Sequence, residues 1–385
     1  MGPPPCSGRV GEGGLLINLT LSAPTVINNT LRPFSEHKES FVNNRHNLCT
    51  LFFTFLLTLL FTAPALAGWT VTDMVGRKVF IPKKAERIVT TFKPSTLSVY
   101  CLGLASRLVG VDNECRYEPF TTGVYPAIAK AAGVGTKSSG LNIETIVALK
   151  PDLVILYSQK DGIALADRLV GLAIPSIVVL PEDFTKLDQT LLLIGKAAGI
   201  EKHAQEVVTL SHDVLDYVSE RVHAIPETAR KRCYYGGSRG FFSTASGEML
   251  QSEIFVKAGG INVSQAFTGY FKLISPEQFI TWNPEFVVVT GNVRHSLPTI
   301  LARPELQGVT AIAHKQVYVF PTDIAPWDFP SPLSTLGVLW CATRLYPEHF
   351  GETDLQTRVD NFYQTLFGKT LTDLGGSFGD RVYPQ

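Results

Sequence analysis

Residues 143–156 have the sequence IETIVALKPDLVIL, and residues 276–289 have the sequence PEQFITWNPEFVVV. In both stretches a glutamate opens a short amphipathic helix, a proline followed by an acidic residue ends it, and an apolar run without polar alternation follows. Such a run is typical of a strand buried on both faces of a parallel sheet. Glu144 corresponds to Glu277 and Pro151 to Pro284 at one constant offset, so the repeat predicts two lobes of similar architecture with a cleft between them.

The segments around the first copy alternate between strand and helix patterns. We predict a hairpin over 71–82, strands over 87–91, 108–111 and 176–180, and helices from near Ser95, over 161–172 and over 186–198. This alternation is the signature of a sheet with helices on both faces. The predicted fold class is therefore α/β, with two Rossmann-like lobes built on central parallel sheets.

A longer helix is predicted between the two lobes. Residues 201–222 carry apolar side chains at helical spacing, and a helix of that length reaches about 33 Å at about 1.5 Å per residue. Pro226 ends it. We therefore assign residues 68–198 to the first lobe, 199–226 to the bridging helix and 227–385 to the second lobe. The second lobe should contain strands over 232–235 and 317–321 and closing helices over 333–346 and 354–367.

The N-terminal region carries a targeting pattern. Arg45 and His46 precede an apolar stretch over 48–61, which ends in Ala-Pro-Ala-Leu-Ala before Gly68. Residues 42–67 are therefore predicted to be a secretory signal peptide, cleaved so that the mature chain begins at Gly68 in the periplasm. An uncleaved anchor stays open, although the stretch is shorter than the roughly 20 residues that span a bilayer. Residues 1–41 are expected to be a non-structural leader or an over-extended gene start.

The charge of the chain argues against one class of partner, and its cysteines limit the possible disulfides. The chain has 34 basic and 34 acidic residues and no long basic run, so nucleic acid is not an expected partner. Four cysteines follow the predicted signal peptide, with no C-x-x-C spacing. A Cys101–Cys115 disulfide is one possibility in an exported protein. Buried free thiols are the expected state of Cys101 and Cys341, which lie among apolar neighbours.

A secretory signal, two α/β lobes and one bridging helix resemble the substrate-binding proteins of ABC importers for metal chelates such as ferric siderophores, haem and cobalamin. The resemblance rests on residues 72–82, 87–89, 141–156, 181–199, 259–262 and 275–279, and covers 69 to about 350. It implies a non-enzymatic, monomeric receptor that takes no resident cofactor and delivers its ligand to a membrane permease. It also implies that Glu144 and Glu277, one on each lobe, dock onto arginines of that permease. Ordinary helix-start chemistry also explains both glutamates.

The ligand is expected at the loops that leave the strand ends, where such sheets bind ligands. Aromatic rings can stack on a flat chelate, and Arg or Lys can bind its oxygens. The candidates from the first lobe are Phe92, Lys93, Ser95, Thr96, Arg116, Tyr117 and Tyr157. Those from the second lobe are Arg239, Gly240, Phe241, Tyr270, Phe271, Asp323, Trp327, Asp328 and Phe329. The run 325–330 is favoured because two prolines hold its aromatic residues in a loop without helical periodicity.

Two other functions stay open from the sequence. A molybdate or tungstate receptor of the same fold would use Lys93, Arg116, Arg239 and backbone N–H groups rather than rings. An exported enzyme is less well supported, because the chain lacks a G-x-S-x-G elbow and a glycine-rich phosphate loop, and no spacing pairs Ser243 or Ser246 with a histidine base. A free-metal site is not expected, since the histidines are scattered.

Overall fold

The computed structural model describes residues 68–136, 140–158, 161–237, 239–321 and 323–378. The predicted leader and signal peptide lie outside these ranges. Within them, no helix combines the length and the apolar composition needed to cross a bilayer. Cys101, Cys115, Cys233 and Cys341 are all buried free thiols, so the Cys101–Cys115 disulfide does not form in this structure, and the expectation of buried free thiols is confirmed.

The first lobe is built on a five-stranded parallel sheet. Its elements are β1 (Trp69–Thr72), β2 (Lys78–Ile81), β3 (Ile88–Thr90), α1 (Lys93–Cys101), β4 (Leu108–Val111), α2 (Pro119–Val124), β5 (Ala132–Gly133), β6 (Gly135–Thr136), β7 (Gly140–Leu141), α3 (Ile143–Ala148), β8 (Leu153–Tyr157), α4 (Gly162–Gly171), β9 (Ser176–Val179) and α5 (Phe184–Ala198). The strand order is β5-β4-β3-β8-β9, and every pair is parallel. Strands β1 and β2 form a separate antiparallel hairpin, as predicted.

The second lobe is built on a four-stranded parallel sheet. After the bridging helix α6 (Glu201–Val222) come β10 (Arg232–Gly236), β11 (Ser243–Thr244), α7 (Leu250–Lys257), β12 (Ile261–Asn262), β13 (Lys272–Leu273), α8 (Pro276–Trp282), β14 (Phe286–Val289), α9 (Leu297–Leu301), α10 (Thr310–Ala313), β15 (Val317–Val319), α11 (Ser334–Leu345) and α12 (Glu352–Phe367). The strand order is β12-β10-β14-β15, again with parallel pairs throughout. The predicted fold class, two α/β lobes joined by one long helix, is confirmed.

The two copies of the repeat occupy equivalent places in the two sheets. Strand β8 lies between β3 and β9, and β14 lies between β10 and β15. All residues of both strands are buried, which explains why neither shows polar alternation. The equivalence extends to the backbone, because Lys150 and Asn283 are both left-handed, with φ of 46° and 41°. Each precedes the proline of its repeat, which disfavours continued helix, so α3 and α8 end within one residue of the same position in the repeat.

The acidic residue after each proline joins two strands. In the first lobe, Asp152 Oδ2 accepts the N–H groups of Glu86 and Arg87, each at 3.1 Å, while the Asp152 N–H donates to the Arg87 carbonyl at 2.8 Å. In the second lobe, Glu285 Oε2 accepts the Arg232 N–H at 3.0 Å, and the Glu285 N–H donates to the Arg232 carbonyl at 2.8 Å. In each lobe, these contacts hold the start of one strand, β3 or β10, beside the strand of the repeat, β8 or β14.

The last helix returns to the first lobe. Phe367 packs against Phe120 of α2, with the ring centroids 5.1 Å apart, and Tyr363 contacts the same ring. Just beyond α12, the Lys369 ammonium donates to the Gly123 carbonyl at 2.7 Å. The sequence-based boundaries place this segment in the second lobe, yet these contacts are with the first. The chain therefore crosses between the lobes a second time after α6.

We predict that removing the two repeat carboxylates will have unequal effects. Asp152 is largely buried, accepts two N–H groups and pairs with Lys83, so Asp152→Ala should lower the free energy of unfolding by about 2–3 kcal/mol. Glu285 is more exposed and accepts one N–H, so Glu285→Ala should cost about 1 kcal/mol. Urea unfolding measures both. Asp167→Ala, which removes a 65% exposed carboxylate, is the control and should change stability by less than about 0.5 kcal/mol. Equal losses for all three variants would show that the carboxylates do not anchor the strands.

Candidate functional site

A cavity of about 750 Å³ lies between the two lobes. The first lobe contributes the loop after β9 and the start of α5, and the second lobe contributes the segment before α7 and the loop around Tyr270. The lining residues are Leu180, Glu182, Asp183, Thr185, Lys186, Gln189, Gly247, Glu248, Met249, Glu253, Gly269 and Tyr270. The cavity therefore lies where parallel sheets of this kind bind ligands, beside the loops that leave their strands.

The lining of this inter-lobe cavity is acidic. It includes four carboxylates, against one ammonium on Lys186. Asp183 caps helix α5 by accepting the Lys186 N–H at 2.7 Å, and it also binds the Lys186 ammonium at 2.6 Å. Its carboxylate raises the pKa of Lys186 by hydrogen bonding. Glu253 Oε2 accepts the N–H of Phe184 at 2.8 Å, which links α7 of the second lobe to α5 of the first.

Of the residues predicted to bind ligand, Tyr270 lines this cavity, and 48% of its surface is exposed. The residues of the first lobe that line it, between 180 and 189, were missed by the sequence analysis. They follow β9, so the rule that ligands bind at strand ends would have identified them had it been applied to that strand as well. Glu248 and Glu253 carried no comparable signal, because they lie just before α7 and within it, not in a loop that directly leaves a strand of the parallel sheet.

A second cavity, of about 430 Å³, lies within the first lobe. Phe92 and Tyr157 line it, and their rings are stacked with centroids 4.5 Å apart. The other lining residues are Thr91, Thr136, Gly140, Leu141, Ile143, Leu156, Asp161, Gly162, Ala164, Leu165 and Arg168. The predicted pair Phe92 and Tyr157 is thus brought together at the ends of β3 and β8, in a cavity separate from the inter-lobe one.

A third group of predicted residues meets where the lobes touch. The Lys93 ammonium contacts the Glu118 carboxylate on its own lobe and lies 5.6 Å from the ring centroid of Phe329 on the other. Burial opposes the charge of Lys93, but Glu118 and its neighbours raise the pKa of the ammonium above its ordinary value. Asp328, next to Phe329, accepts the Tyr235 hydroxyl at 2.6 Å, and burial raises the pKa of Asp328 to about 6.

Several predicted residues are spread around these three places. Tyr117 and Arg239 are exposed and line neither cavity, and Arg116 lies 5.0 Å from the Tyr117 ring centroid while donating to the Ala129 carbonyl. Phe271 packs against Tyr235, with centroids 6.2 Å apart. Asp323 pairs with Arg294 at 3.1 Å. Gly240 has a φ of 118°, which glycine alone adopts without strain.

Trp327, Phe241, Ser95 and Thr96, which were predicted to bind ligand, are all buried in this structure. Trp327 is 1% exposed, and its indole N–H donates to the Tyr363 hydroxyl of α12 at 3.0 Å. Its loop lacks helical periodicity, as predicted, but the last helix covers it. Phe241 packs in a hydrophobic core of the second lobe. The Thr96 hydroxyl forms a hydrogen bond with the Thr90 hydroxyl at 2.7 Å, and Ser95 is buried at the start of α1. None of the four presents a side chain to either cavity. Asp328 is equally buried.

Glu144 and Glu277 are both exposed in the first turn of their helices. Asn142 caps α3 by accepting the Thr145 N–H at 2.8 Å, and Ser275 caps α8 by accepting the Gln278 N–H at 3.2 Å. A hydrogen bond from Ser275 lowers the pKa of Glu277, so its carboxylate is ionised at neutral pH. The two glutamates therefore occupy matching positions, away from the residues that line either cavity.

The described residues give little support for a serine active site or a metal site. Ser243 and Ser246 are buried, at 1% and 0% exposure. Within the described ranges, no group of three or more His, Cys, Asp or Glu side chains is placed to hold a metal ion. His203 and His212 lie on the exposed side of α6, where they contact Glu206 and Asp188.

We predict that Trp327→Phe will lower stability rather than report on ligand. The change removes the indole N–H that bonds Tyr363 and leaves a space in a closed core, so the free energy of unfolding should fall by about 1–3 kcal/mol. Tyr363→Phe removes the same bond from the other side. Urea unfolding of both single variants and the double variant should show a loss smaller than the sum. Strict additivity would contradict a direct bond between the two rings.

Comparison with known proteins is consistent with this geometry. The molybdate-binding protein MolA of Haemophilus influenzae is 27% identical over 328 residues, which cover 79% of this chain and 92% of MolA. The vitamin B12-binding protein of Yersinia pestis is 29% identical over 213 residues, which cover 55% of this chain and 72% of that protein.

Solved structures show the same fold. MolA of Haemophilus influenzae bound to molybdate superposes with a TM-score of 0.70 at 22% identity, covering 81% of this chain and 100% of that chain. CeuE of Helicobacter pylori with Ni(II) bound superposes with a TM-score of 0.69 at 19% identity, covering 80% of this chain and 98% of that chain. The family model for periplasmic binding proteins matches residues 88–324, well over half of the sequence. This chain belongs to that family, the periplasmic binding proteins of ABC importers.

Proposed function

We propose that this protein captures a metal chelate (a ferric siderophore, haem or a corrinoid) in the inter-lobe cavity and delivers it to an ABC permease from the periplasm. The observation that carries the proposal is the size of the cavity between the lobes, about 750 Å³. Pockets for drug-sized ligands span roughly 300–1,000 Å³, so this one suits a chelate better than a small tetrahedral anion. The exposed ring of Tyr270 offers a stacking surface at its edge.

Within this ligand class, the charge of the cavity favours chelates that present neutral or cationic groups. Glu182, Asp183, Glu248 and Glu253 surround one ammonium, which Asp183 already binds. A free dianion would be repelled by such a lining, whereas a chelate with neutral or cationic groups would be attracted to it. The proposed ligand therefore presents amide, hydroxyl or cationic groups to this side of the cleft.

A molybdate or tungstate receptor is the second candidate, favoured by the likeness to MolA along 92% of its length. In the first lobe, the buried Arg116 Nε and Ser95 Oγ lack a hydrogen-bond partner among the described residues. Donors of these two types are suited to binding an oxyanion. In both candidate functions the protein is a ligand receptor, but the ligand contacts different side chains of the protein in each.

We predict that calorimetric titration of the mature chain, residues 68–385, will separate the two candidates. Cyanocobalamin, haem, a ferric catecholate, a ferric hydroxamate, molybdate and tungstate are each titrated. At least one chelate should bind with a dissociation constant of about 1 μM or tighter, and the oxyanions should not. Tyr270→Ala should weaken chelate binding about tenfold. Phe80→Ala, which truncates an exposed ring that lines neither cavity, is the control. Tight molybdate binding with no chelate binding would replace the first candidate by the second.

We further propose that Glu144 and Glu277 contact the permease, one from each lobe. Two separated contacts on one rigid protein act as a bivalent grip, so neither needs to be strong alone. Their exposure and matching positions at the starts of α3 and α8 support this role.

We predict that Glu144→Ala and Glu277→Ala will each reduce uptake, and that the double variant will lose more than either one. Ligand affinity should stay within about twofold of the wild type, since neither residue lines a cavity. Binding to the permease in proteoliposomes should weaken as salt rises, because exposed charges are screened. Glu201→Ala, an exposed glutamate in the first turn of α6, is the matched control. A loss of ligand affinity with normal uptake would place these glutamates in the ligand site instead.

A further inference from the structure

One ammonium group touches both lobes. Lys93 is the first residue of α1, and on its own lobe its Nζ contacts the Glu118 carboxylate and lies 3.9 Å from the Glu114 carboxylate. The same atom lies 5.6 Å from the ring centroid of Phe329, in the loop of the second lobe that precedes α11. Lys93 is thus held by its own lobe while it faces the other.

The residue before Phe329 is Asp328, and one oxygen of its carboxylate accepts no hydrogen bond from the described residues. Asp328 is fully buried; its Oδ2 accepts the Tyr235 hydroxyl at 2.6 Å, while its Oδ1 has no hydrogen-bond partner among the described residues. Gln251 donates to the Asp328 carbonyl at 2.7 Å, yet its own Oε1 is equally without a partner there. Buried polar groups are normally satisfied, because each unmade bond costs about 1–3 kcal/mol. Such an oxygen can accept a further hydrogen bond from a donor that reaches it.

We propose that Lys93 and Asp328 form an inter-lobe latch, in which the ammonium exchanges the Glu118 carboxylate of its own lobe for the ionised Asp328 carboxylate of the other. Lys93 acts electrostatically on Asp328 and favours its ionised form. Attraction between opposite charges is strong where water is excluded, so the exchange would draw the lobes together at this edge. Two packed arrangements that differ by one ion pair are a common basis for discrete domain movement.

The latch should depend on pH through Asp328. Burial raises the pKa of this carboxyl to about 6, so it is neutral in mild acid and ionised at pH 8. The other groups that face Asp328 are Tyr235 and Cys341, and burial raises the pKa of both well above its ordinary value, so both stay neutral across this range. Lys93 itself is faced by Glu114, Glu118, the buried Cys115 and Asp112. Burial also raises the pKa of Asp112 to about 6, so it needs a control of its own.

The distance between the lobes tests the latch without any ligand. Spin labels on Val170→Cys in the first lobe and Val256→Cys in the second occupy exposed positions, and the four native thiols of the mature chain are buried and will not compete. Pulsed electron resonance measures the distance at pH 4.5 and pH 8. The wild-type distance should shift by about 2 Å between the two pH values.

Variants on both lobes separate the latch from other titrating groups. Asp328→Asn, which can still accept the Tyr235 hydroxyl, and Lys93→Met should each abolish the shift. Asp112→Asn should retain it. A wild-type distance that does not change with pH would overturn the latch, as would a shift that persists in Asp328→Asn or is lost only in Asp112→Asn. The outcome is independent of which ligand the protein carries, because every measurement is made on the ligand-free chain.

Discussion

The carboxylate that follows the proline in each repeat is the contact on which the two sheets depend. A parallel strand has no hairpin to set its register, so its neighbour must be placed by something else. Asp152 does this by binding the N–H group of Arg87, just before β3, and Glu285 by binding that of Arg232, the first residue of β10; their own N–H groups donate to the carbonyls of the same two residues. The strand that begins each lobe is thereby aligned with the strand of the repeat. The loops at the far ends of these strands, which face the cleft, inherit that alignment.

Local sequence patterns predicted most of the helices and strands, but they did not predict which loops are buried by distant parts of the chain. The repeat predicted both αβ units, and apolar periodicity predicted α6, because each pattern depends on residues within one element. Trp327 was predicted to be accessible and is buried, since its cover is supplied by Tyr363, 36 residues later. No local pattern encodes such a contact. Glu248 and Glu253 of the inter-lobe cavity were missed for the same reason, whereas Glu182 and Asp183 follow β9 and could have been identified from the strand-end rule.

Two buried polar side chains near the place where the lobes meet have an atom without a hydrogen-bond partner among the described residues. Strands β8 and β14 are completely buried among apolar side chains. In contrast, Asp328 and Gln251 each hold a buried atom without a partner among the described residues. At functional positions, proteins commonly contain residues that are unfavourable for packing or hydrogen bonding, and the rest of the fold compensates for the lost stability. The contrast agrees with the proposed latch, in which the lobes move at their junction while the sheets keep their packing.

The return of α12 to the first lobe has a consequence for the order of folding. Domains of most proteins complete themselves from the N-terminus as synthesis proceeds. Here Phe120 is covered by Phe367, so the first lobe lacks part of its core until nearly the entire chain has been made. A nascent chain stopped anywhere before that helix holds an unfinished first lobe, however complete its sheet. The core of the first lobe can therefore be completed only after α12 has been made, whatever the rest of that lobe has already formed.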